Sequence, residues 1–561
     1  MTVKPDDQPL DFVIVGQGIA GTTLAWMLKW RGLRGLIVDR LDGGSASSVA
    51  AGLMTPVTGM RLVPAWRLEE CWSAAERFYR RVEEETGSHF FTQPGQVRLF
   101  DSQQSKNEFD RRDWSKHPVE IRQPQQLVNP DAIAAPFGGF ELPAAGRLDV
   151  AAYLADSRRS FVADGSFQVA SIEKFGLDIA KEVVHLSDPG VRAKRVIFCR
   201  GASEPENSWF EDVVFKSARG EVLTLRIDGL AETRIVNQGV WLVPCGNGLF
   251  KAGSTYDFEN LERGTTVPGR EEIAARLKAF LKLPFEVVGH ESGVRPIVTG
   301  RQPVIGIHPE HEQLGIFNGL GSKGSLLAPF VANQFADLLI EGTTIDPELN
   351  VRIRFPNRPA DLPPVTPVRV PRLTEQAHEI IRSTIRPGDT VVDATAGNGH
   401  DTCFLGEVAG SDGRVFAFDV QPVAIQRTTD RVTAAGLSNV TLLQQSHVEM
   451  KLAIPEKYHG QLSAVMFNLG YLPGGDHSVT TETQSSLAAI QDSLELVRPG
   501  GVVTILAYPG HSGGNAEAAS VQCMIDELSA TDFETSVRRS ATTRETAPLL
   551  FIILRRESPH S

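Results

Sequence analysis

Short apolar runs that end in polar, glycine-containing turns recur in both halves of the chain. Each run has four or five residues, at least half of them apolar, and either ends in Asp or is followed by Gly or Asn. Continuous runs of this length are typical of strands that are buried on both faces of a parallel sheet. In such sheets, ligands bind at the carboxyl ends of the strands. The runs that predict these strands are 12–15, 35–39, 390–393, 415–419 and 464–467.

Two other patterns predict helices and a second kind of sheet. Residues 22–30 and 373–385 carry apolar positions at helical spacing. The stretches near 86–145 and 215–290 alternate between apolar and polar positions, as strands of an antiparallel sheet do. We therefore expect an α/β fold in which an antiparallel substrate sheet accompanies the first parallel sheet.

A proline-rich segment divides the chain. A length of 561 residues exceeds what one hydrophobic core organises, so more than one domain is expected. Proline lacks an amide donor and resists helix formation, which favours a semi-extended spacer. We predict domains at 1–350 and 372–561, joined by a linker at 351–371. Its prolines are Pro356, Pro359, Pro363, Pro364, Pro367 and Pro371.

Composition narrows the possible classes of protein. No apolar run approaches the ~18 residues of a membrane helix, and no signal-peptide pattern opens the chain, so we expect a cytoplasmic protein without a membrane partner. Five scattered cysteines without a Cys-x-x-Cys pair predict reduced thiols and no metal site. The net charge of −12 argues against broad nucleic-acid binding, but allows one structured RNA to dock on a local basic patch.

The first apolar run opens into a Gly-x-Gly-x-x-Gly motif. Gly16 permits a tight turn, Gly18 lets the backbone approach a pyrophosphate, and Gly21 lets the following helix pack on the strand. Asp39 ends the second run, where a carboxylate can hold ribose hydroxyls. Together they predict a Rossmann-type dinucleotide site.

Further motifs extend this site and make residues 10–345 resemble the D-amino-acid oxidase, glycine oxidase and sarcosine oxidase family. These motifs are Ser45–Pro56, Val196–Ala202, Ala252–Tyr256, Gly293–Pro296 and Asn318–Gly324. The resemblance implies FAD, oxidation of an amine carbon, and no strong catalytic base. It also implies that Arg295 grips a substrate carboxylate and that Tyr256 binds substrate. The FAD residues that it implies are Gly16, Gly18, Gly21, Asp39, Arg40, Ser47, Ser48, Gly201, Gly319, Gly321, Lys323 and Gly324.

The second half repeats the arrangement of strand, glycine loop and strand-end acid. Gly397 and Gly399 let the backbone approach a ligand, Asp393 can take its ammonium group, and Asp419 can hold ribose hydroxyls. This pattern is typical of Rossmann-like class I methyltransferases that bind S-adenosylmethionine. The residues predicted for this cofactor are Asp393, Asn398, Asp401, Asp419, Gln421, Ser446, His447 and the two loop glycines.

The run at 464–467 leads to the predicted acceptor side, where Asn468, Asp476 and His477 can orient an amine or take its proton. With the loop that carries Tyr508 and His511, these motifs resemble an rRNA-methylase-like family that includes the MnmM tRNA methyltransferases. The resemblance implies an amine acceptor on a tRNA wobble uridine. Which residue is the base stays open.

Joined, the two halves predict successive reactions on tRNA. The flavin half would remove the carboxymethyl group from 5-carboxymethylaminomethyl-(2-thio)uridine, and the second half would methylate the amine that remains. Bifunctional proteins of the MnmC type join such activities in the opposite domain order. One alternative is a free glycine or sarcosine oxidase fused to an independent RNA methyltransferase. Another is a flavin half that serves only to dock RNA.

Overall fold

The computed structural model describes residues 8–41, 45–59, 62–114, 117–172, 176–180, 182–204, 209–355, 366–367, 371–470, 483–509, 514–540 and 547–557. The chain divides into two compact units. One contains residues 1–29 and 33–368, and the other contains residues 369–561 together with 30–32.

The predicted apolar runs of the first unit form strands because both of their faces are buried. Val13 and Ile14 are fully buried, and Val13 packs in one cluster with Val38 and Val196. The first helix begins at Ile19, three residues before the predicted start. The helices are α1 (Ile19–Trp30), α2 (Ala46–Val49), α3 (Leu68–Thr86), α4 (Gln103–Asp110), α5 (Val150–Ala163), α6 (Val267–Lys278), α7 (Gly324–Glu341) and α8 (Val351–Arg354).

Two large sheets organise the first unit. The strands are β1 (Phe12–Val15), β2 (Gly35–Asp39), β3 (Leu53–Met54), β4 (Val57–Thr58), β5 (Val63–Pro64), β6 (Phe91–Thr92), β7 (Gln96–Leu99), β8 (Gly139–Leu142), β9 (Gly146–Leu148), β10 (Phe167–Val169), β11 (Leu177–Ile179), β12 (Val184–Leu186), β13 (Val191–Ala193), β14 (Val196–Phe198), β15 (Ala218–Arg226), β16 (Ile235–Gln238), β17 (Val240–Gly246), β18 (Leu249–Gly253), β19 (Glu286–Arg295), β20 (Val304–Ile307) and β21 (Leu314–Asn318).

The nucleotide sheet has the order β10-β2-β1-β14-β21-β20 and is parallel except for β20. The substrate sheet has the order β19-β15-β18-β17-β16-β7-β8, and every pair in it is antiparallel except β16 with β7. Its strands therefore come from residues 96–142 and 218–295. Smaller sheets are β11-β12-β13, β3-β9-β6 and β4-β5.

The second unit is built on one sheet of order β24-β23-β22-β25-β26-β28-β27. Its strands pair in parallel from β24 to β26, whereas β28 pairs antiparallel with both β26 and β27. Its strands are β22 (Thr390–Asp393), β23 (Arg414–Phe418), β24 (Val440–Leu443), β25 (Leu462–Leu469), β26 (Val497–Ala507), β27 (Phe533–Arg539) and β28 (Leu549–Arg555). Its helices are α9 (Leu373–Thr384), α10 (His400–Ala409), α11 (Pro422–Ala434), α12 (Met450–Ala453), α13 (Thr483–Leu496) and α14 (Gly514–Asp526).

Both faces of this sheet carry helices, which explains its continuous apolar strands. Successive residues of β22 point to opposite faces. Val391 therefore joins a cluster with Ile381 of α9, whereas Val392 joins one with Ile490 of α13. Truncating a large residue of such a core to Ala, such as the buried Phe467, would destabilise the unit by about 3–5 kcal/mol.

The predicted fold class is confirmed: a Rossmann-type domain with a substrate sheet precedes a class I methyltransferase fold. Residues 351–354, the first of the predicted linker, form helix α8, and Arg352 Nε donates a hydrogen bond to Ile307 O at 3.0 Å. Most of the remaining linker lies outside the described residues, so the linker stays a prediction. None of the described helices is long and apolar enough to cross a membrane.

Candidate functional site

The glycine loop between β1 and α1 is packed so closely that side chains are excluded. A Cβ on Gly16, which has φ of +106°, would lie 2.6 Å from Cys199 O. A Cβ on Gly21 would lie 2.0 Å from Gly16 O. The loop therefore presents bare backbone at the N-terminus of α1, where N–H groups and the helix dipole favour a pyrophosphate.

Asp39 is fixed beside this loop. Its Oδ2 accepts a hydrogen bond from Gln17 N at 2.5 Å, and its Oδ1 accepts one from Leu41 N at 2.8 Å. A carboxylate offers about four acceptor positions, so lone pairs remain for the ribose hydroxyls. These bonds hold the carboxylate in place for the role that the sequence predicts.

One cavity of about 1270 Å³ runs from the glycine loop to the substrate sheet. It exceeds the ~300–1,000 Å³ of a pocket for a drug-sized ligand, which suits a dinucleotide and a substrate together. Tyr256 and Arg295 line the same cavity. Gly21 is not among the lining residues, but the other predicted FAD residues line the cavity: Gly16, Gly18, Asp39, Arg40, Ser47, Ser48, Gly201, Gly319, Gly321, Lys323 and Gly324.

Arg295 ends β19 with its guanidinium in this cavity. Its Nη2 donates to Ser254 Oγ at 2.6 Å, its Nη1 donates to Thr255 O at 3.4 Å, and its Cζ lies 4.3 Å from the ring centroid of Tyr256. Space for it exists because residue 220 is Gly: a Cβ there would lie 2.1 Å from Nη2. Burial lowers the pKa of Arg295, and no carboxylate of the described residues lies within ion-pair distance of it. The guanidinium is thus available to a substrate anion.

The loop from β21 to α7 supplies positive charge to the cavity. Gly319 and Gly321 have φ of +79° and +57°, and Asn318 Nδ2 braces the turn by donating to Gly201 O at 3.0 Å. Burial and the neighbouring Arg301 lower the pKa of Lys323, which precedes α7. A lysine and a helix N-terminus together suit a ring system that gains negative charge on reduction.

The second unit repeats the hydrogen bonding seen at Asp39. Asp419 Oδ2 accepts from Gly397 N at 2.9 Å, and Asp419 Oδ1 accepts from Gln421 N at 2.9 Å. In both units the acid follows the glycine-loop residue by 22 positions. A Cβ on Gly399 would lie 2.9 Å from Thr428 Cα, so this loop also requires glycine.

Asp393 is almost completely buried. Its Oδ1 accepts from Thr395 N at 3.1 Å, and its Oδ2 accepts from Thr402 Oγ1 at 2.5 Å. Burial and the nearby Asp401 carboxylate raise the pKa of Asp393 to about 7. The carboxyl group therefore braces the glycine loop, and its contact with a ligand ammonium stays a prediction.

Two of the residues predicted for S-adenosylmethionine, Ser446 and His447, begin a short helix after β24. Ser446 caps this helix, because its Oγ accepts from Val448 N at 3.4 Å. Burial lowers the pKa of the buried His447, so the ring is neutral near pH 7, and its Nε2 has no hydrogen-bond partner among the described residues. An orphaned ring nitrogen beside the glycine loop fits S-adenosylmethionine, since it can bind a polar atom of that cofactor.

Asn468 lies at the carboxyl end of β25. Its Nδ2 donates to Asp401 Oδ2 at 3.3 Å, and its backbone N–H donates to Thr395 Oγ1 at 2.7 Å. Burial and Asp401 raise the pKa of Tyr508, while a hydrogen bond with Asn468 opposes the shift. The Tyr508 hydroxyl therefore stays protonated near neutral pH. The other predicted acceptor-side residues, Asp476, His477 and His511, lie outside the described residues.

The structure adds a histidine that the sequence did not indicate. His378 Nε2 lies 2.7 Å from Asp401 Oδ1, and its ring stacks on Phe404 with centroids 3.8 Å apart and an interplanar angle of 7°. Asp401 thus joins His378 to Asn468. His378 lies on α9 and Asp401 lies on α10, 23 residues apart in the chain. A single histidine on an amphipathic helix cannot be identified as a site residue from the sequence.

Together, the two sites define a flavin-dependent oxidoreductase joined to a class I methyltransferase. A family profile described as "FAD dependent oxidoreductase" matches residues 11–338, and one described as "Putative rRNA methylase" matches residues 415–554. The chain belongs to the FAD-dependent oxidoreductase family and carries a methyltransferase domain of the second family. FAD and S-adenosylmethionine are accordingly its cofactors. Among the described residues no group of His, Cys, Asp and Glu is arranged to hold a metal ion.

Both halves have named relatives. The chloroplastic tRNA (mnm(5)s(2)U34)-methyltransferase of Arabidopsis thaliana is 34% identical over 196 residues, which covers 33% of this chain and 70% of that protein. The bifunctional tRNA 5-methylaminomethyl-2-thiouridine biosynthesis protein MnmC of Marinobacter nauticus is 23% identical, covering 59% of this chain and 55% of that protein. The glycine oxidase structure from Bacillus cereus shares the fold, with a TM-score of 0.52 at 21% identity, and covers 63% of this chain and 99% of that chain.

Proposed function

We propose that the protein modifies the wobble uridine of tRNA in two steps. The first unit removes the carboxymethyl group of 5-carboxymethylaminomethyl-(2-thio)uridine, and the second methylates the resulting amine to give 5-methylaminomethyl-(2-thio)uridine. The observation that carries the proposal is Arg295, a cation that faces the FAD cavity without a carboxylate partner in the described part of the chain. An N-substituted glycine supplies that carboxylate.

In the first step Arg295 binds the substrate carboxylate through two parallel hydrogen bonds and so holds the neighbouring C–N bond in the cavity. When bound, FAD would supply the acceptor for a hydride from the carboxymethyl carbon, and O2 would reoxidise it with formation of H2O2. Water then hydrolyses the resulting C=N bond of the substrate. Glyoxylate leaves, and a primary amine remains on the tRNA.

In the second step the amine must lose a proton before its lone pair can attack a methyl group. Asn468 commits its Nδ2 to Asp401, which leaves its Oδ1 to accept a hydrogen bond from the amine. The His378–Asp401 pair offers a proton acceptor beside it. The amine then takes the methyl group of S-adenosylmethionine, and S-adenosylhomocysteine leaves.

The relatives support the pairing of these steps. One relative of the second unit is named for methylation at U34 of tRNA, and one relative of the first unit is named for biosynthesis of 5-methylaminomethyl-2-thiouridine. Because the proposed product of the first unit is the proposed substrate of the second, the fusion would combine two consecutive steps of one modification in one chain. A free amino-acid oxidase would release peroxide with glycine or sarcosine in the absence of tRNA, and this assay distinguishes that alternative from the proposal.

Mass spectrometry of tRNA nucleosides from a strain that lacks the gene, complemented with variants, tests the proposal. Arg295→Ala should leave 5-carboxymethylaminomethyl-uridine, whereas Asp393→Ala should leave 5-aminomethyl-uridine. Arg226→Ala and Asp412→Ala, at exposed positions of the two units, serve as matched controls and should restore the full modification. A nucleoside profile that is the same with and without the gene would reject the proposal.

A further inference from the structure

Two aromatic side chains stand exposed on the loop between β18 and α6. Tyr256 is 56% exposed and Phe258 is 61% exposed. Their ring centroids lie 6.4 Å apart with an interplanar angle of 27°. Large aromatic residues normally bury their rings, so an exposed, nearly parallel pair marks a surface with a binding role.

The loop is held firmly, which makes this exposure a property of the folded protein. The buried Arg219 donates from Nη1 to Glu221 Oε1 at 2.9 Å and from Nη2 to Asp257 Oδ2 at 3.1 Å. Asp257 Oδ1 accepts the backbone N–H groups of Glu259 and Asn260, each at 3.0 Å. Phe258 therefore lies within a turn whose two sides are both anchored.

The aromatic pair adjoins the carboxylate anchor. The ring centroid of Tyr256 lies 4.3 Å from Arg295 Cζ, and Tyr256 lines the cavity. In the proposed substrate, four bonds of about 1.5 Å separate the carboxylate carbon from the uracil ring. A carboxylate bound to Arg295 thus brings the base within reach of the aromatic pair.

The charge of the loop that carries the pair favours a base over a phosphate. The exposed Glu259 follows Phe258 directly in the chain, and the exposed Glu262 lines the cavity. With Asp257 they outnumber Arg263, the basic residue of this loop, and the excess negative charge repels a phosphate backbone. Aromatic faces stack with any nucleobase through their π-systems and need no positive charge. We infer that Tyr256 and Phe258 form a stacking surface for the nucleobase that carries the arm to be oxidised. This inference rests on the proposed function and adds how the flavin unit distinguishes an RNA-borne glycine from a free one.

The experiment measures flavin reduction without oxygen in the purified full-length protein and in Phe258→Ala. Two substrates are compared: an anticodon stem-loop RNA that bears 5-carboxymethylaminomethyl-uridine, and N-ethylglycine. The variant should lose roughly 10- to 100-fold in kcat/KM with the RNA, as expected for one stacking contact, and stay within about threefold of wild type with N-ethylglycine. Phe258→Trp should keep the RNA activity. Val288→Ala, at another exposed apolar position of the substrate sheet, is the matched control.

The remaining outcomes overturn the inference in distinct ways. Equal losses with both substrates would mean that Phe258 supports the cavity and does not contact a base. Unchanged rates with both substrates would mean that the aromatic pair does not stack on the nucleobase and binds another partner, such as a protein. Wild-type protein that reduces its flavin with N-ethylglycine but never with the RNA would reject the proposed function as well.

Discussion

Replacing Arg295 by Met should greatly lower kcat/KM of the flavin unit, because the variant lacks the guanidinium that binds the substrate carboxylate. The guanidinium makes hydrogen bonds to Ser254 Oγ and Thr255 O, and among the described residues it has no ionic partner. A carboxylate bound through two charge-assisted hydrogen bonds, at about 1.5–3 kcal/mol each, would be stabilised by about 3–6 kcal/mol. At about 1.4 kcal/mol for each factor of ten, kcat/KM should fall about 10²- to 10⁴-fold.

The assay is anaerobic flavin reduction as a function of substrate concentration. Arg226→Met, at an exposed position of the substrate sheet, controls for loss of a positive charge. An amine of similar size without a carboxylate should react at the same rate with wild type and with Arg295→Met, because only the carboxylate contact has changed. The variant should also keep its bound flavin. A loss of less than tenfold with the carboxylate substrate would refute the assigned role of Arg295.

Three further outcomes follow from the two sites. Gly21→Ala should give colourless protein, because its Cβ would lie 2.0 Å from Gly16 O; flavin absorbance reports this. The pKa of Asp393 is raised to about 7. Asp393 should therefore stabilise the second unit fully below about pH 4, and this contribution should be lost as the pH rises through 7. Calorimetry of wild type and Asp393→Asn over this pH range measures the difference in stability. His378→Gln should lower kcat for methyl transfer at least tenfold while S-adenosylmethionine binding is kept, and the loss should shrink at higher pH, where more of the amine is already unprotonated.

Each of these outcomes has a contrary result. Full flavin content in Gly21→Ala would mean that the loop can move to admit a side chain. Equal pH dependence of unfolding in wild type and Asp393→Asn would mean that Asp393 ionises like an ordinary aspartate. Unchanged methyl transfer in His378→Gln would leave His378 a structural residue and move the proton acceptor elsewhere.

The local parts of both sites could be predicted from sequence. The positions of Gly16 and Asp39 at the ends of β1 and β2 could be predicted, because neighbouring residues encode a strand, a tight turn and a helix. The same logic located Gly397 and Asp419. The antiparallel strands of the substrate sheet were likewise visible as alternation.

Features that depend on packing between segments far apart in the chain could not be predicted from the sequence. His378 meets Asp401 because side chains of α9 and α10 join one core cluster in the fold. The exposure of Phe258 depends on the buried Arg219 that holds its turn. The raised pKa of Asp393 arises from burial and from a second carboxylate, neither of which a linear pattern specifies.

The central claim is that one chain strips a carboxymethyl group from a tRNA nucleoside and then methylates the amine. Nucleoside mass spectrometry after incubating the purified protein with tRNA that carries 5-carboxymethylaminomethyl-uridine tests it most directly. We expect 5-aminomethyl-uridine when S-adenosylmethionine is omitted and 5-methylaminomethyl-uridine when it is added. Recovery of the starting nucleoside in both reactions, from protein that holds its flavin, would contradict the claim.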